Sequence, residues 1–255
     1  MADSEIDSSI HIFGVSGLKM IEKGDDIAAL ICERVDLVDG DIVAIASTII
    51  SKSQGYFKEL RSIVPTSEAI RIAAKCGKEP EFMQVVLDEA VGVVLEAPFT
   101  LTELPCEHVG VYSGVDASNV QDGFVLYLPR DPMYEADRLR DQFYDHIHAK
   151  VGVIVTDTCG RAFRRGQTGH AIGWSGMIAI RDFRGDLDLF GHTLEVTEEA
   201  VVDEIAGFAN FIMGESNNGV PAVVFRGCKA WDGHNSLFFS KQEDIIRKSL
   251  MNYRG

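Results

Sequence analysis

Five consecutive residues without a polar side chain, Val151-Gly152-Val153-Ile154-Val155, constrain this chain more than any other stretch. A run this short, bounded by polar residues and rich in β-branched side chains, reads as a buried strand. The next fourteen residues reverse its character: Thr156-Asp157-Thr158-Cys159-Gly160-Arg161-Ala162-Phe163-Arg164-Arg165-Gly166-Gln167-Thr168-Gly169. The strand is expected to deliver Asp157 and Thr158 at its carboxyl end, where such sheets commonly bind ligands, with a loop rich in Gly and Arg next. A carboxylate beside a hydroxyl suits a hard cation such as Mg2+ or Mn2+, which bridges phosphate oxygens. Arg161, Arg164 and Arg165 offer planar forks to phosphate or carboxylate. They are conspicuous because 24 Lys and Arg face 39 Asp and Glu, a net charge of −15. A solvated basic turn with Asp157 as a cap is the plainer alternative.

That acidity excludes a chain that wraps nucleic acid or lies on an anionic membrane through a basic surface. With 46% hydrophobic and 25% charged residues in 255, the chain has apolar material for a sizeable core and is not disordered as a whole. No run approaches the ~20 apolar residues of a membrane helix. Met1 to Ser9 is acidic and polar, unlike a secretory leader, and Cys32, Cys76, Cys106, Cys159 and Cys228 form no CxxC pair. A cytoplasmic protein with reduced thiols is the expectation.

Further elements emerge from period and punctuation. Strands are expected at Ile10–Val15, Ile42–Ala46, Val91–Leu95, Val109–Tyr112 and Val220–Phe225. Helices are expected after Asp25-Asp26, after Thr66, from Pro80, and from Asp131-Pro132 to Lys150. Another is expected to be capped by Thr197-Glu198-Glu199 and to carry Val201, Val202, Ile205, Phe208, Ala209, Ile212 and Met213 on one stripe. Ser240 with Glu243 predicts a capping box before a last helix. Trp174, Trp231 and Phe238-Phe239 read as packing. Strands and helices mix without regular alternation, so the expected class is α+β, or irregular α/β.

Three other segments could carry chemistry. Gly114-Val115-Asp116-Ala117-Ser118-Asn119 sets an acid at a strand end; alone it is a turn, but with Asp157 it could complete a two-carboxylate metal site, Asn119 reaching a nucleotide. Ser47, Thr48 and Lys52 come after the strand Ile42–Ala46 and could grip phosphate, or simply cap a helix. Met213 to Pro221 is a helix exit in which Glu215 could be a further cation ligand. No GxxxxGK[ST] loop, GxGxxG fingerprint, GxSxG elbow or HExxH pair is present, so any phosphate chemistry uses another scaffold.

In order, the segments GDDIA, GDIVAIASTIISK, SGVDASNV, TDTCGRAFRRGQTGHAIG, RDFRGDLDLFG, EVTEEAVVDEIAGFANFIMGE and GVPAVVFRG resemble the coenzyme F420-0:L-glutamate ligase family, gamma-glutamyl ligases of deazaflavin biosynthesis, from about Gly17 to Gly227. Two positions depart from the common pattern: Lys19 stands where Pro is frequent, and Ser53-Gln54 where Ala-Glu is usual.

The resemblance implies GTP-dependent addition of L-glutamate, through a gamma-linked amide, to the carboxylate tail of coenzyme F420-0 and then to the mono-glutamyl product. It implies a two-domain, intertwined homodimer; the sequence itself suggests residues 1–9 as a flexible tail, 10–255 as the catalytic unit and, from Pro98 and Pro105, a lobe boundary near 98–105. It implies Asp116 and Asp157 on one divalent ion, Mn2+ or Mg2+, and Thr158 and Glu215 on a second, with K+ a further candidate. Gly17, Leu18, Lys19, Met20, Ser47, Thr48, Lys52, Asn119 and the loop Met213, Gly214, Glu215, Ser216, Asn217, Asn218, Gly219, Val220 would surround GTP. With Arg161, Arg164 and Arg165 as phosphate anchors, the expected chemistry passes through an acyl phosphate. A metal-dependent nucleotide phosphohydrolase and a non-catalytic nucleotide-sensing dimer are the rivals.

Overall fold

The computed structural model describes residues 9–228 and 233–252. In chain order the elements are β1 (His11–Val15), α1 (Ile27–Cys32), β2 (Ile42–Ala46), α2 (Ser47–Gln54), β3 (Phe57–Glu59), α3 (Ser67–Cys76), α4 (Pro80–Glu89), β4 (Gly92–Leu95), β5 (Leu101–Glu103), β6 (Val109–Val111) and β7 (Phe124–Leu126). The second half adds α5 (Pro132–Ile147), β8 (Gly152–Gly160), β9 (Gln167–Ser175), β10 (Ile180–Asp182), β11 (Glu198–Ala200), α6 (Val201–Met213), β12 (Ala222–Arg226) and α7 (Ile245–Asn252). This is the expected α+β mixture. No helix among the described residues is long and apolar enough to cross a membrane.

The apolar runs become the centre of a five-stranded sheet of order β1-β12-β2-β8-β9, in which only β2 and β8 are parallel. Side chains alternate across a strand, so each run must feed two cores. Val43, Ile45, Val153, Val155 and Val224 pack with α1 and α5 on one face; Ile42, Ala44, Ile154, Val223 and Phe225 pack with α6 on the other. Trp174 is buried in the second core with Phe238 against it, as expected of packing residues. Gly169 of β9 lets α6 sit close: an added Cβ would collide with the Ala206 carbonyl and lie 2.7 Å from the Asn210 Cβ.

At the amino end of β2, the buried Asp41 carboxylate accepts 2.9 and 2.7 Å bonds from the Arg226 guanidinium and a 2.9 Å bond from the Val38 N–H. Residues between α2 and α5 build a third core, where Ala69, Ile72, Met83 and Val86 meet Val115 and Val125. Beside it stand a three-stranded sheet, β4-β5-β6, and the β3–β7 ribbon. Residues 98–105 include β5, the middle strand of that sheet. Residues 183–197 extend between β10 and β11 as an arm on which Leu189 and Phe190 are exposed.

Several local expectations are corrected. Thr197 does not cap α6: Glu198–Ala200 pairs with Ile180–Asp182 as β11, and α6 starts at Val201 with no side-chain cap. The Ser240–Glu243 hydrogen bond forms at 2.6 Å but closes a turn; α7 begins at Ile245, where Asp244 accepts from the Arg247 N–H. Helix α5 stops at Ile147, short of Lys150, because His148 is left-handed at φ 55°. The tail expected over 1–9 falls, apart from Ser9, outside the described residues, as does Trp231.

Candidate active site

The carboxyl ends of β2 and β8 open into a cleft of about 1040 Å³. Strand β2 passes into α2 without a loop, and Ala46 before the helix has no side chain that could cap it. The first-turn amides of α2 are therefore left open beside Ser47 and Thr48, an arrangement that attracts anions. Lys52 lies one turn beyond Thr48 on the same helix face. It also lines the cleft, where partial burial pushes its ammonium below the usual range.

Strand β8 corrects the expected strand end. It runs on to Gly160, three residues past Asp157. The parallel ladder with β2, however, stops at the Ala46–Thr156 pair, so Asp157 still emerges where the sheet opens. A register shift against β9 falls between Val155 and Thr156, and such bulges re-aim the side chains beyond them. The Ser47 hydroxyl donates to Asp157 Oδ1 at 3.3 Å. Burial pushes the Asp157 carboxyl up to about 6, and the charges of Asp116 and Glu215 push the same way, against the Thr158 N–H and the Ser47 hydroxyl.

Asp116 arrives from another direction. Tyr112, Ser113 and Gly114 are all left-handed, and at Gly114 a Cβ would fall inside the Leu128 side chain. That turn delivers Asp116 to a two-way backbone bridge with Leu126 of β7, at 3.0 and 2.8 Å. Its carboxylate then accepts from the Ser118 N–H at 2.9 Å and from the Ser118 hydroxyl. Glu215, just past the end of α6, accepts a 2.7 Å bond from the Asn210 amide.

All four expected metal ligands, Asp116, Asp157, Thr158 and Glu215, line this one cleft. So do Leu18, Lys19, Met20, Ser47, Thr48, Lys52, Asn119, Met213, Gly214, Ser216, Asn217, Gly219 and Val220. Gly17 and Asn218 are not among the lining residues; the Asn218 side chain packs over Gly214 instead. Nor does the chain bring Arg161, Arg164 and Arg165 to the cleft. They sit exposed on the β8–β9 connection, where Arg161 donates to the Arg165 carbonyl at 3.3 Å. The continued strand carries them there, since four residues at ~3.3 Å each move Arg161 roughly 13 Å beyond Asp157.

No group of three His, Cys, Asp or Glu side chains close enough to hold a metal occurs among the described residues. The donor set is instead carboxylates in pairs with a hydroxyl. Hard oxygen donors of this kind fit Mg2+ or Mn2+, ions that keep waters and take phosphate oxygens for the remaining positions. None of the three carboxylates pairs with Lys or Arg among the described residues. Sequence reasoning missed Asn210, Phe57 and Phe124, which also line the cleft. For Asn210 the available signal was a carboxamide one turn before the Gly214 that ends α6.

Known proteins are similar to this chain over nearly its whole length. The family described as F420-0:Gamma-glutamyl ligase matches residues 17–227. A protein of Archaeoglobus fulgidus named coenzyme F420:L-glutamate ligase is 46% identical over 243 residues, covering 94% of this chain and 98% of its own. A relative of the same name from Halobacterium salinarum is 45% identical over 252 residues, covering 96% and 98%. One from Methanosarcina acetivorans is 43% identical over 240 residues, covering 92% and 94%.

Proposed function

This chain belongs to the F420-0:gamma-glutamyl ligase family, and from that premise we propose that it joins L-glutamate to coenzyme F420-0, and to the mono-glutamyl product, through gamma-linked amides driven by GTP. The observation that supports this most is the convergence of Asp116, Asp157, Thr158 and Glu215, from three distant segments, on one cleft beside the amino end of α2.

A carboxylate and an amine do not condense in water, so the acid must be activated. In the proposed sequence an oxygen of the acceptor carboxylate attacks the γ-phosphorus of GTP, giving an acyl phosphate and GDP. The glutamate amine, as the free base, then attacks the acyl carbon. Phosphate leaves, and the amine proton passes to solvent. Asp116 and Asp157 would hold one divalent ion, Mn2+ or Mg2+, and Thr158 and Glu215 a second. Bound there, the ions would supply neutralisation of phosphate charge, the main requirement of phosphoryl transfer. The chain's own residues position: Ser47 orients Asp157, Ser118 orients Asp116 and Asn210 orients Glu215. The open α2 amides and Lys52 suit the triphosphate.

The homodimer expected of the family is consistent with two exposed apolar features, the arm bearing Leu189 and Phe190 and the β8–β9 tip bearing Phe163. In this reading a second copy covers both. Mass spectrometry of the product from purified protein, GTP, L-glutamate and F420-0 tests the whole proposal: one or two added glutamyl units are expected, with one GDP and one phosphate per bond. Phosphate release with F420-0 and glutamate omitted would favour the phosphohydrolase, and GTP binding without product the sensor.

A further inference from the structure

The β3–β7 ribbon forms a wall of the cleft to which no role has been given. Its register pairs Phe57 with Leu126, Lys58 with Val125 and Glu59 with Phe124. Alternation then divides the two faces. Val125 is buried in the third core and Lys58 lies over the Tyr127 ring, 5.4 Å from its centroid. Phe57, Phe124 and Leu126 turn the other way and line the cleft. The Phe57 and Phe124 rings meet nearly edge to face, centroids 6.2 Å apart and planes at 75°, and Phe57 remains 43% exposed. A flat ring laid on one of them meets the edge of the other, an arrangement aromatic groups prefer.

The position of this corner is informative. The Leu126–Asp116 bridge ties the ribbon directly to one of the cleft's acids. Most segments assigned to the nucleotide flank the central sheet instead: Leu18, Lys19 and Met20 come after β1, Ser47 and Thr48 after β2, and 213–220 precede β12, while Asn119 alone of that set follows Asp116 on its loop. Phosphoryl transfer in line sets the attacking oxygen across the γ-phosphorus from the leaving diphosphate. An acceptor therefore enters from the wall away from the nucleotide, and the ribbon supplies a wall on the Asp116 side. We propose that Phe57 and Phe124 are a stacking platform for the planar deazaflavin ring of the acceptor, whose tail then carries its carboxylate toward Asp116. This assignment rests on the ligase reading above, because only that reading supplies a deazaflavin acceptor.

Calorimetric titration of F420-0 into the GDP-loaded full-length protein tests the platform without turnover. Phe57→Ala and Phe124→Ala are each expected to weaken F420-0 binding about tenfold, as loss of one stacking partner does, while GDP affinity stays unchanged. Phe57→Tyr, which keeps the ring, retains binding. If an alanine variant loses both affinities, Phe57→Leu, which keeps apolar bulk without a ring, decides: selective loss of F420-0 supports the platform and any other result overturns it. Unchanged F420-0 affinity in the alanine variants overturns it. So does selective loss of GDP, which would assign the corner to guanine, and so does a wild type that does not bind F420-0. Failure of the ligase reading shows separately, as wild type that binds F420-0 and GTP yet forms no glutamyl product.

Discussion

The two ends of the central sheet carry similar charges in opposite states. At the amino end of β2 the Asp41 carboxylate is buried and fully matched, with both oxygens on the Arg226 guanidinium and one also on a backbone N–H. At the carboxyl end, Asp157, Asp116 and Glu215 share a cleft and, among the described residues, have only hydroxyls, an amide and backbone N–H groups as partners. The same strands support both ends, so the difference is not one of fold stability in general. A matched buried pair holds a fold together, whereas acids of one sign gathered without a counter-charge leave a place for a cation.

Asp157→Asn probes the unmatched end most sharply. It should lower ligation on the order of a thousandfold, by removing the charge of a proposed metal ligand while keeping shape and the Ser47 contact. Near-normal turnover at ordinary metal concentration would break the comparison. At the matched end, Arg226→Ala should lower unfolding free energy by about 2–3 kcal/mol, because it strands a buried carboxylate. Urea titration should show the earlier midpoint, with KM values for GTP and glutamate unmoved. Asn210→Ala should reduce ligation roughly 10–100-fold if Glu215 is the metal ligand proposed, the usual consequence of freeing such a ligand from its orienting partner. Added divalent ion should recover part of the loss, which a purely structural defect would not permit.

The smallest effect is electrostatic. The Asp157 carboxyl, at about 6 in the folded chain against 3.8 ordinarily, keeps its proton in the folded state over a window where the unfolded state has lost it. Stability of the metal-free protein should therefore fall as pH rises through that window and level off above it. Asp157→Asn should abolish that slope and leave the metal-free protein at neutral pH slightly more stable than wild type. Denaturation curves of the two proteins at successive pH values give the comparison directly.

What the sequence disclosed obeys the same division. Runs buried on both faces leave an unmistakable local trace, and Ile42–Ala46 is found with the expected bounds. Strands of three residues, such as Phe57–Glu59 and Phe124–Leu126, are too short to display a period, so the ribbon wall left no signal. Thr197-Glu198-Glu199 has good capping composition, yet pairing with Ile180–Asp182 overrides it. In the cleft, the acids were legible as residue types at strand ends. Their meeting was expected from residue type and family resemblance but shows in no local pattern, because Asp116 is brought toward Asp157 by a bridge to Leu126 and a turn of three left-handed residues. That the arginines lie outside this cleft was not legible for a related reason: no local pattern says how far β8 continues past its buried half.

The notch at Gly169 has a consequence far from its own position. It seats α6 against β9 at Ala206 and Asn210, and α6 ends at the loop that carries Glu215. Even one methyl group there would act as a shim under the helix, tilting the lever whose far tip is Glu215. Variation at this glycine would then disturb the cleft without altering any of the acids that line it.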